Sequence, residues 1–179
     1  MYKYSCGIPT VEINFMVNPQ KNVKPRLVTL FELTRYVCVG YGFFLAYQPN
    51  ITETDMLNSL LLWIVIPLAG LTGLESILIG TASAESRGRE IGNAYQTQSA
   101  LNNLSTAITG LIVWYFQWGK LASLTVLFVL LIFFILSSMN HTYEYFVKKN
   151  KKPIHFMRLL LTMGLILACI PLIIRTLSS

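Results

Sequence analysis

Polar side chains scattered through apolar surroundings carry the chemistry that this sequence offers. They comprise two acids, two arginines, three carboxamides and one histidine: Glu32, Arg35, Glu75, Gln96, Gln98, Asn103, His141 and Arg158. Such groups can pair charges, donate and accept hydrogen bonds, and exchange a proton at the imidazole. This is the chemistry of non-covalent binding, and we predict that these residues form a site for a small polar or charged solute.

Of these residues, Glu75 most needs a neighbouring cation or hydrogen-bond donor, because apolar residues precede and follow it. An ionised carboxylate in hydrocarbon is costly unless a cation or a hydrogen-bond donor lies beside it. Arg35, Arg158 and His141 are the candidate partners. Glu32 and Arg35 are three residues apart on one helical face and can also pair with each other. A simple ion pair at the end of a helix therefore stays open as an alternative for these two.

The sequence contains no familiar catalytic or metal-binding pattern. It has no His-Glu-x-x-His cluster, no Gly-x-Ser-x-Gly elbow and no phosphate-binding loop. The two histidines, His141 and His155, are too far apart in sequence to form a ligand pair on one helix. We therefore expect no metal and no cofactor, and a binding or structural role rather than an enzyme. An acid–base role for Glu75 with His141 stays open.

The elements that must position these residues are five long apolar stretches. They cover residues 27–47, 57–80, 100–118, 121–139 and 159–174. Each is close to the ~20 residues with which a helix crosses ~30 Å of hydrocarbon. The chain is 54% hydrophobic and only 12% charged, whereas soluble domains have about 25% charged residues. These features predict an all-α, polytopic membrane helix bundle with about five transmembrane helices, forming one domain over residues 27–179.

Residues 1–26 precede the first span and form a separate N-terminal arm. Pro9, Pro19 and Pro25 interrupt it, and apolar residues alternate with others over residues 11–17. Alternation of this kind predicts a short strand or an extended segment. We expect this arm to lie on the cytoplasmic membrane surface or to cap the bundle.

Basic residues predict the orientation of the bundle. Eleven of the fourteen lysines and arginines lie in the arm, the 81–99 loop and the 141–158 loop, which share one side. Because such residues stay in the cytoplasm, the N-terminus is expected inside, in a bacterial inner membrane. The strongest run is Lys148, Lys149, Lys151 and Lys152, which suits anionic lipid headgroups better than nucleic acid. The last span is short and contains Pro171, so an interfacial position for it stays open.

With this orientation, the strongly polar residues gather in the inner half of the bundle. Small residues at spacings of four, three and four follow two spans and predict close helix packing. These residues are Ala69, Gly73, Ser76 and Gly80 on the second span, and Ser99, Asn103, Thr106 and Gly110 on the third. Asn103 is expected to bond across to the second span, either as part of a cavity wall or as simple helix contact. Span 121–139 is apolar all round and is expected to face lipid or another subunit.

The stretch from Gly70 to His141 resembles a family of small bacterial membrane proteins of unknown function, DUF6790. Its signature, Pro-Phe-Gln-x-Glu-Val-Gly-x-Ala-Asn-Leu, is similar to residues 94–104, in which Gln96, Asn103 and Leu104 match. A glycine-rich helix precedes it, and Asn140-His141 resembles a Gly-His pair of the family. The chain departs from the pattern at Ala94, Gln98 and Thr81, where the family has proline, an acid and histidine. The resemblance implies no activity, but it singles out Gln96 and Asn103.

Two classes of function follow from these observations. In the first, the bundle binds or transports a solute through an inner polar pocket, and forms a homo-oligomer because five helices are few for a transporter. In the second, the polar cluster is structural and the chain is an accessory or assembly subunit of another membrane protein. Replacing Glu75 should abolish ligand response in the first class and alter only assembly or stability in the second.

Overall fold

A computed structural model describes residues 25–86, 94–147 and 153–178. Within them the regular structure is helical, without strands, which confirms the all-α prediction. The helices are α1 (Pro25–Ala46), α2 (Glu53–Leu60), a π-helical segment (Leu61–Leu71), α3 (Thr72–Leu78), α4 (Gly80–Ser86), α5 (Ala94–Tyr115), α6 (Lys120–Phe146) and α7 (Pro153–Leu177). The expected strand near residues 11–17, the basic run at 148–152 and the His155 side chain lie outside the described residues.

Among the described residues, four helical stretches are long and apolar enough to cross a membrane. They are Arg26–Ala46, Glu53–Leu78, Lys120–Tyr143 and Phe156–Leu177. These correspond to four of the five stretches expected from the sequence. The remaining stretch, 100–118, begins within α5, which ends at Tyr115. This helix has 22 residues but carries Gln96, Gln98, Asn102 and Asn103 in its first half. These side chains make α5 more polar than the other long helices.

The helix ends differ from the expected boundaries, so two candidate site residues lie on helices and not in a loop. Helix α1 begins at Pro25, because proline fits the first turn of a helix, where its missing N–H costs nothing. Helix α6 continues past residue 139 to Phe146, and α7 already begins at Pro153. His141 and Arg158 therefore lie on helices, not in the connecting loop where the sequence analysis placed them.

Helix α2, the π-helical segment and α3 form one continuous rod, Glu53–Leu78, at the centre of the bundle. Leu61, Ile64 and Val65 are completely buried in it. The π-helical segment contains Pro67, whose missing N–H disturbs the hydrogen bonding of an α-helix. Segments with π geometry are rare and often lie near functional sites. This one ends directly before Thr72, which accepts a hydrogen bond from Arg35.

Small residues allow the rod and α4 to approach α5 closely. A methyl group added at Gly73 would lie 2.6 Å from Leu104 Cγ, and one added at Gly80 would lie 3.0 Å from Gln96 Nε2. Gly110 packs near Val65 at an ordinary distance. Helix packing through the small residues of the second span is therefore present at Gly73 and Gly80.

The two predicted packing faces also include Asn103, Thr106 and Ser76. Asn103 is buried but donates to the carbonyl oxygen of Ser99 on its own helix, at 2.9 Å. The expected hydrogen bond from Asn103 to the second span is therefore wrong. Thr106 likewise donates within α5, to the Asn102 carbonyl oxygen. Ser76 is half-buried.

Helix α6 has two distinct faces, contrary to the uniform exposure expected from its composition. Leu127 and Leu130 are buried, whereas Ile132 and Leu136 are exposed. The helix packs against α7 and against the central rod through its buried side. Only the exposed side is therefore free to face lipid or another subunit. The two faces were not predicted, because an apolar sequence does not show which side of a helix its neighbours cover.

Polar contacts hold the helices together at the end that contains the 47–52 loop. Lys120 forms an ion pair with Glu53, with 2.7 Å between Nζ and Oε2. Arg175 donates to the Ile51 carbonyl oxygen at 2.6 Å. These contacts bring the C-terminal end of α7 beside the start of the rod. At the opposite end of the bundle lie the starts of α1, α5 and α7 and the ends of α3 and α6. We call this the polar end.

Candidate functional site

An ion pair connects α1 to the rod at the polar end. The Arg35 guanidinium donates through Nη2 to Glu75 Oε2, through Nη1 to Thr72 Oγ1 at 2.9 Å, and through Nε to the Phe31 carbonyl oxygen at 3.1 Å. The Glu75 side chain is 1% exposed and that of Arg35 is 11% exposed. Because both charges are nearly removed from solvent, they require this pairing.

Ser83 completes the surroundings of the Glu75 carboxylate. Its hydroxyl donates to Glu75 Oε1 at 2.6 Å, so each carboxylate oxygen has a donor. The cluster of Arg35, Thr72, Glu75 and Ser83 therefore connects α1, α3 and α4. Sequence reasoning named Arg35 as one of three candidate partners for Glu75. It missed Thr72 and Ser83, although Thr72 lies three residues before Glu75 and thus shares its helical face.

A cavity of about 460 Å³ lies next to this cluster, between α1, the rod, α6 and α7. Four of the residues singled out from the sequence line it: Glu32, Arg35, His141 and Arg158. Glu32 shares the wall with Arg35, whose guanidinium is directed to Glu75 and Thr72. The structure therefore assembles residues from three separate helices around one space.

Arg158 and His141 meet on one side of the cavity. Arg158 Nη1 lies 2.8 Å from His141 Nε2, which joins α7 to α6. A guanidinium can only donate hydrogen bonds, so Nε2 accepts and the neutral imidazole carries its proton on Nδ1. His141 is buried. This contact fixes the imidazole and holds the positive charge of Arg158 at the cavity wall.

Ser138 adds a hydroxyl to the same wall, three residues before His141 on α6. It is buried, and its Oγ has no hydrogen-bond partner among the described residues. Buried polar atoms of proteins nearly always have a partner. The hydroxyl can both donate and accept, so it can serve a polar group that enters the cavity. Ser138 has no distinguishing signal in the sequence, because a serine near a helix end is common.

The other residues singled out from the sequence lie outside the cavity wall. Glu75 lies behind Arg35 and reaches the cavity only through it. Gln96 donates to the Gly80 carbonyl oxygen at 2.9 Å and thereby ties α5 to α4. Gln98 is exposed, and Asn103 bonds within its own helix. The two residues suggested by the family signature, Gln96 and Asn103, thus make contacts within and between helices.

The arrangement suits reversible, non-covalent binding. The cavity offers charged groups and hydroxyls on one part of its wall, and apolar side chains such as Val39, Leu68 and Leu165 on another. Among the described residues, no group of three His, Cys, Asp or Glu side chains is placed to hold a metal ion. The chemistry on offer is charge pairing, hydrogen bonding and apolar contact.

Comparison with known proteins identifies the family of the chain but not its activity. Neither the curated proteins nor the solved structures gave a match. The family model described as "Family of unknown function (DUF6790)" matches residues 29–178. The match includes α1 and α7, and so extends well beyond the stretch from Gly70 to His141 that carried the resemblance. The chain therefore belongs to the DUF6790 family.

Proposed function

We propose that this protein is an integral membrane protein that binds or passes a small polar or charged solute in the cavity at its polar end. Four apolar helical stretches support the membrane assignment. Helix α5 is proposed as the fifth spanning helix, because it is 22 residues long and packs along the rod with one face buried. The positive-inside rule then places the N-terminus and the polar end in the cytoplasm, with the 148–152 lysines near anionic headgroups.

The cavity is the observation that carries this proposal. Charged residues are expensive in a membrane and, where they occur, mark binding sites or pathways by default. Arg158, His141 and Glu32 lie on three different helices and line one space. The buried hydroxyl of Ser138 lies in the same wall. A purely structural cluster needs no such space beside it.

Thermal unfolding of the purified full-length protein tests the proposal. The protein is heated with a panel of ions, metabolites and lipids, and Arg158→Gln is compared with wild type. A ligand at 100 times its dissociation constant should add about 2.7 kcal/mol to the free energy of unfolding. Arg175→Gln is a matched control, since it removes the same charge from the opposite end of the same helix. A ligand-specific shift that Arg158→Gln abolishes and Arg175→Gln retains supports the site.

The exposed face of α5 supports a proposal about assembly. Gln98, Asn102, Ser105 and Thr109 are all exposed and follow one another at spacings of four, three and four, so they lie on one face. Polar residues on a membrane helix favour contact with another helix over lipid. We propose that this face contacts a second copy of the chain, because amides and hydroxyls both donate and accept. Contact with a different membrane protein is the alternative, and it would make the chain an accessory subunit.

A further inference from the structure

We infer that the solute of the polar-end cavity is a membrane-dissolved amphiphile with a small uncharged head, and that it reaches the cavity sideways, between α6 and α7. This inference rests on the proposed function, and it names the chemical class of the ligand and its route. It depends on a second cavity beside the first, on the Ser138 hydroxyl between them, and on the partners that the charged groups of the wall already have.

A second cavity of about 500 Å³ lies along the outer side of the same helix pair, between residues 135–143 of α6 and residues 159–166 of α7. We call it the α6–α7 groove. Met139 and Met163 line it and are more than half exposed, so the groove opens to the surroundings of the bundle. In a membrane those surroundings are hydrocarbon. Methionine side chains are flexible and adapt to apolar ligands of different shape.

Two residues, Ser138 and Thr162, line both the groove and the polar-end cavity. The contact between His141 and Arg158 sets the register of the two antiparallel helices. Ser138 lies three residues before His141, and Thr162 lies four residues after Arg158, so both lie one helical turn further toward the middle of the bundle. They therefore face each other across the seam and form the partition between the two cavities.

The Ser138 hydroxyl is the group in this partition that points to a ligand. Ser138 is only 5% exposed, yet its Oγ has no partner in the part of the chain that the structure describes. The hydroxyls of Thr125, Thr142 and Thr176 each donate to the carbonyl oxygen four residues earlier on their own helix. Ser138 does not make the corresponding bond to Phe134. A buried hydroxyl without a partner is costly, so a ligand that supplies a donor or an acceptor here is favoured.

The head of the ligand is uncharged, because the charged groups of the wall already have partners. Arg35 is paired with Glu75, and Arg158 contacts His141. Glu32 likewise has interactions of its own. A charged head would therefore enter a poorly solvated site without a spare counter-charge among the described groups, which is costly. A hydroxyl or carbonyl head requires only hydrogen bonds, which serine and threonine hydroxyls can donate and accept.

The apolar chain of the ligand fits the groove. Ile135 on α6 and Ile166 on α7 line the end of the groove that lies toward the middle of the bundle. From there to Thr142 the groove follows α6 for about 10 Å. Its lining residues all lie within the apolar stretches Lys120–Tyr143 and Phe156–Leu177. The groove is therefore at the depth of the lipid chains, where the ligand keeps its chain while its head enters the cavity.

The first experiment measures thermal unfolding of the full chain in phosphatidylcholine nanodiscs. The probes are 1-dodecanol, dodecane, which lacks the hydroxyl, and dodecanesulfonate, whose head is permanently charged. The variants are Ser138→Ala and the control Ser123→Ala. Ser123 is also a buried serine of α6, but it lies about four turns away and lines neither cavity.

For wild type we expect dodecanol to raise the melting temperature above that with dodecane or dodecanesulfonate at equal content in the bilayer. Ser138→Ala should abolish the difference between dodecanol and dodecane, and Ser123→Ala should retain it. Without a probe, Ser138→Ala should melt no lower than wild type, because it removes a buried hydroxyl that bonds to no described group. A loss of preference in this folded variant therefore reports the ligand contact.

The second experiment tests the route through the groove. Met163→Trp places a bulky ring in the groove, whereas Leu160→Trp places the same ring on the exposed surface of α7, outside both cavities. Met163→Trp should remove the preference for dodecanol over dodecane, and Leu160→Trp should keep it. If Met163→Trp leaves the preference unchanged, the chain of the ligand does not lie in the groove and the inference is wrong.

The remaining outcomes separate this inference from the proposed function. If dodecane or dodecanesulfonate stabilises as much as dodecanol, or if Ser138→Ala keeps the preference, the ligand is not an uncharged amphiphile held at Ser138. If a water-soluble solute binds in an Arg158-dependent manner while dodecanol has no effect, the proposed function holds and the inference is wrong. If neither dodecanol nor any panel solute binds, both are wrong.

Discussion

The guanidinium of Arg35 and the carboxylate of Glu75 form a nearly buried ion pair between residues 40 positions apart in sequence. The pair joins α1 to the rod immediately beside the cavity. Because Arg35 is itself part of the cavity wall, the same contact that secures α1 also sets the position of one wall. The stability of the bundle and the shape of the cavity are therefore connected through this one pair.

Breaking this pair should destabilise the protein strongly. Glu75→Gln leaves the Arg35 guanidinium without its counter-charge, and losses of about 3–5 kcal/mol are typical when one partner of a buried pair is removed. The double variant Arg35→Gln with Glu75→Gln should cost less than the two single variants together, since neither charge is then left alone. A double-mutant cycle of reversible unfolding measures both effects.

The Lys120–Glu53 pair is the control for this cycle, because its side chains are 43% and 22% exposed. Lys120→Gln should change the free energy of unfolding by no more than about 1 kcal/mol. Strictly additive effects of Arg35→Gln and Glu75→Gln would show that the two charges do not interact in the folded protein.

Ser83→Ala should destabilise the protein moderately. The substitution removes the 2.6 Å hydrogen bond to Glu75 Oε1, and hydrogen bonds to charged groups contribute about 1.5–3 kcal/mol. Ser59→Ala is the matched control, because that hydroxyl is exposed and donates only to the Asp55 carbonyl oxygen one turn earlier. Equal melting temperatures for the two variants would argue against the role of Ser83 in supporting Glu75.

Close packing predicts opposite effects for two glycine substitutions. A methyl group at Gly73 would lie 2.6 Å from Leu104 Cγ and 2.9 Å from the Ala100 carbonyl oxygen, so Gly73→Ala must push α3 and α5 apart. At Gly40 nothing lies within 4 Å of the added methyl, and Gly40→Ala should be neutral or stabilising by up to about 1 kcal/mol. The melting temperatures of the two variants provide the comparison, and a stable Gly73→Ala protein would contradict the close approach.

The sequence was sufficient to predict the helical class, and four of its eight polar candidates, Glu32, Arg35, His141 and Arg158, line the cavity. Hydrophobic length alone indicates where Lys120–Tyr143 and Phe156–Leu177 lie. The choice of partner for Glu75 was not predictable, since Arg35, Arg158 and His141 were all candidates and only the packing of α1 against the rod selects Arg35. The expectation for Asn103 failed because an asparagine can satisfy itself with a carbonyl one turn earlier on its own helix.

Two further features depend on geometry that a linear pattern does not contain. Ser138 became a candidate only when its burial and its lack of a described partner were known. The π-helical geometry of Leu61–Leu71 has one signal in the sequence, Pro67 within an apolar helix. That signal also fits an ordinary kink, so it does not identify the π geometry by itself.

The polar face of α5 predicts a specific cross-link between two copies of the chain. In protein whose cysteines Cys6, Cys38 and Cys169 are replaced by alanine, Thr109→Cys should form a disulfide-linked dimer under mild oxidation in membranes. Two-fold association through this face brings the same position of both helices together, and Thr109 lies far along the exposed polar stripe.

Leu167→Cys is the control for this cross-link, because Leu167 is also exposed and lies on the long helix α7, away from this face. Non-reducing electrophoresis should show the dimer for Thr109→Cys and little for Leu167→Cys. Equal cross-linking of both positions would indicate random collision. If neither position cross-links while the unmodified protein migrates as a larger complex with a second protein, the α5 face serves a different partner and the accessory-subunit alternative is favoured.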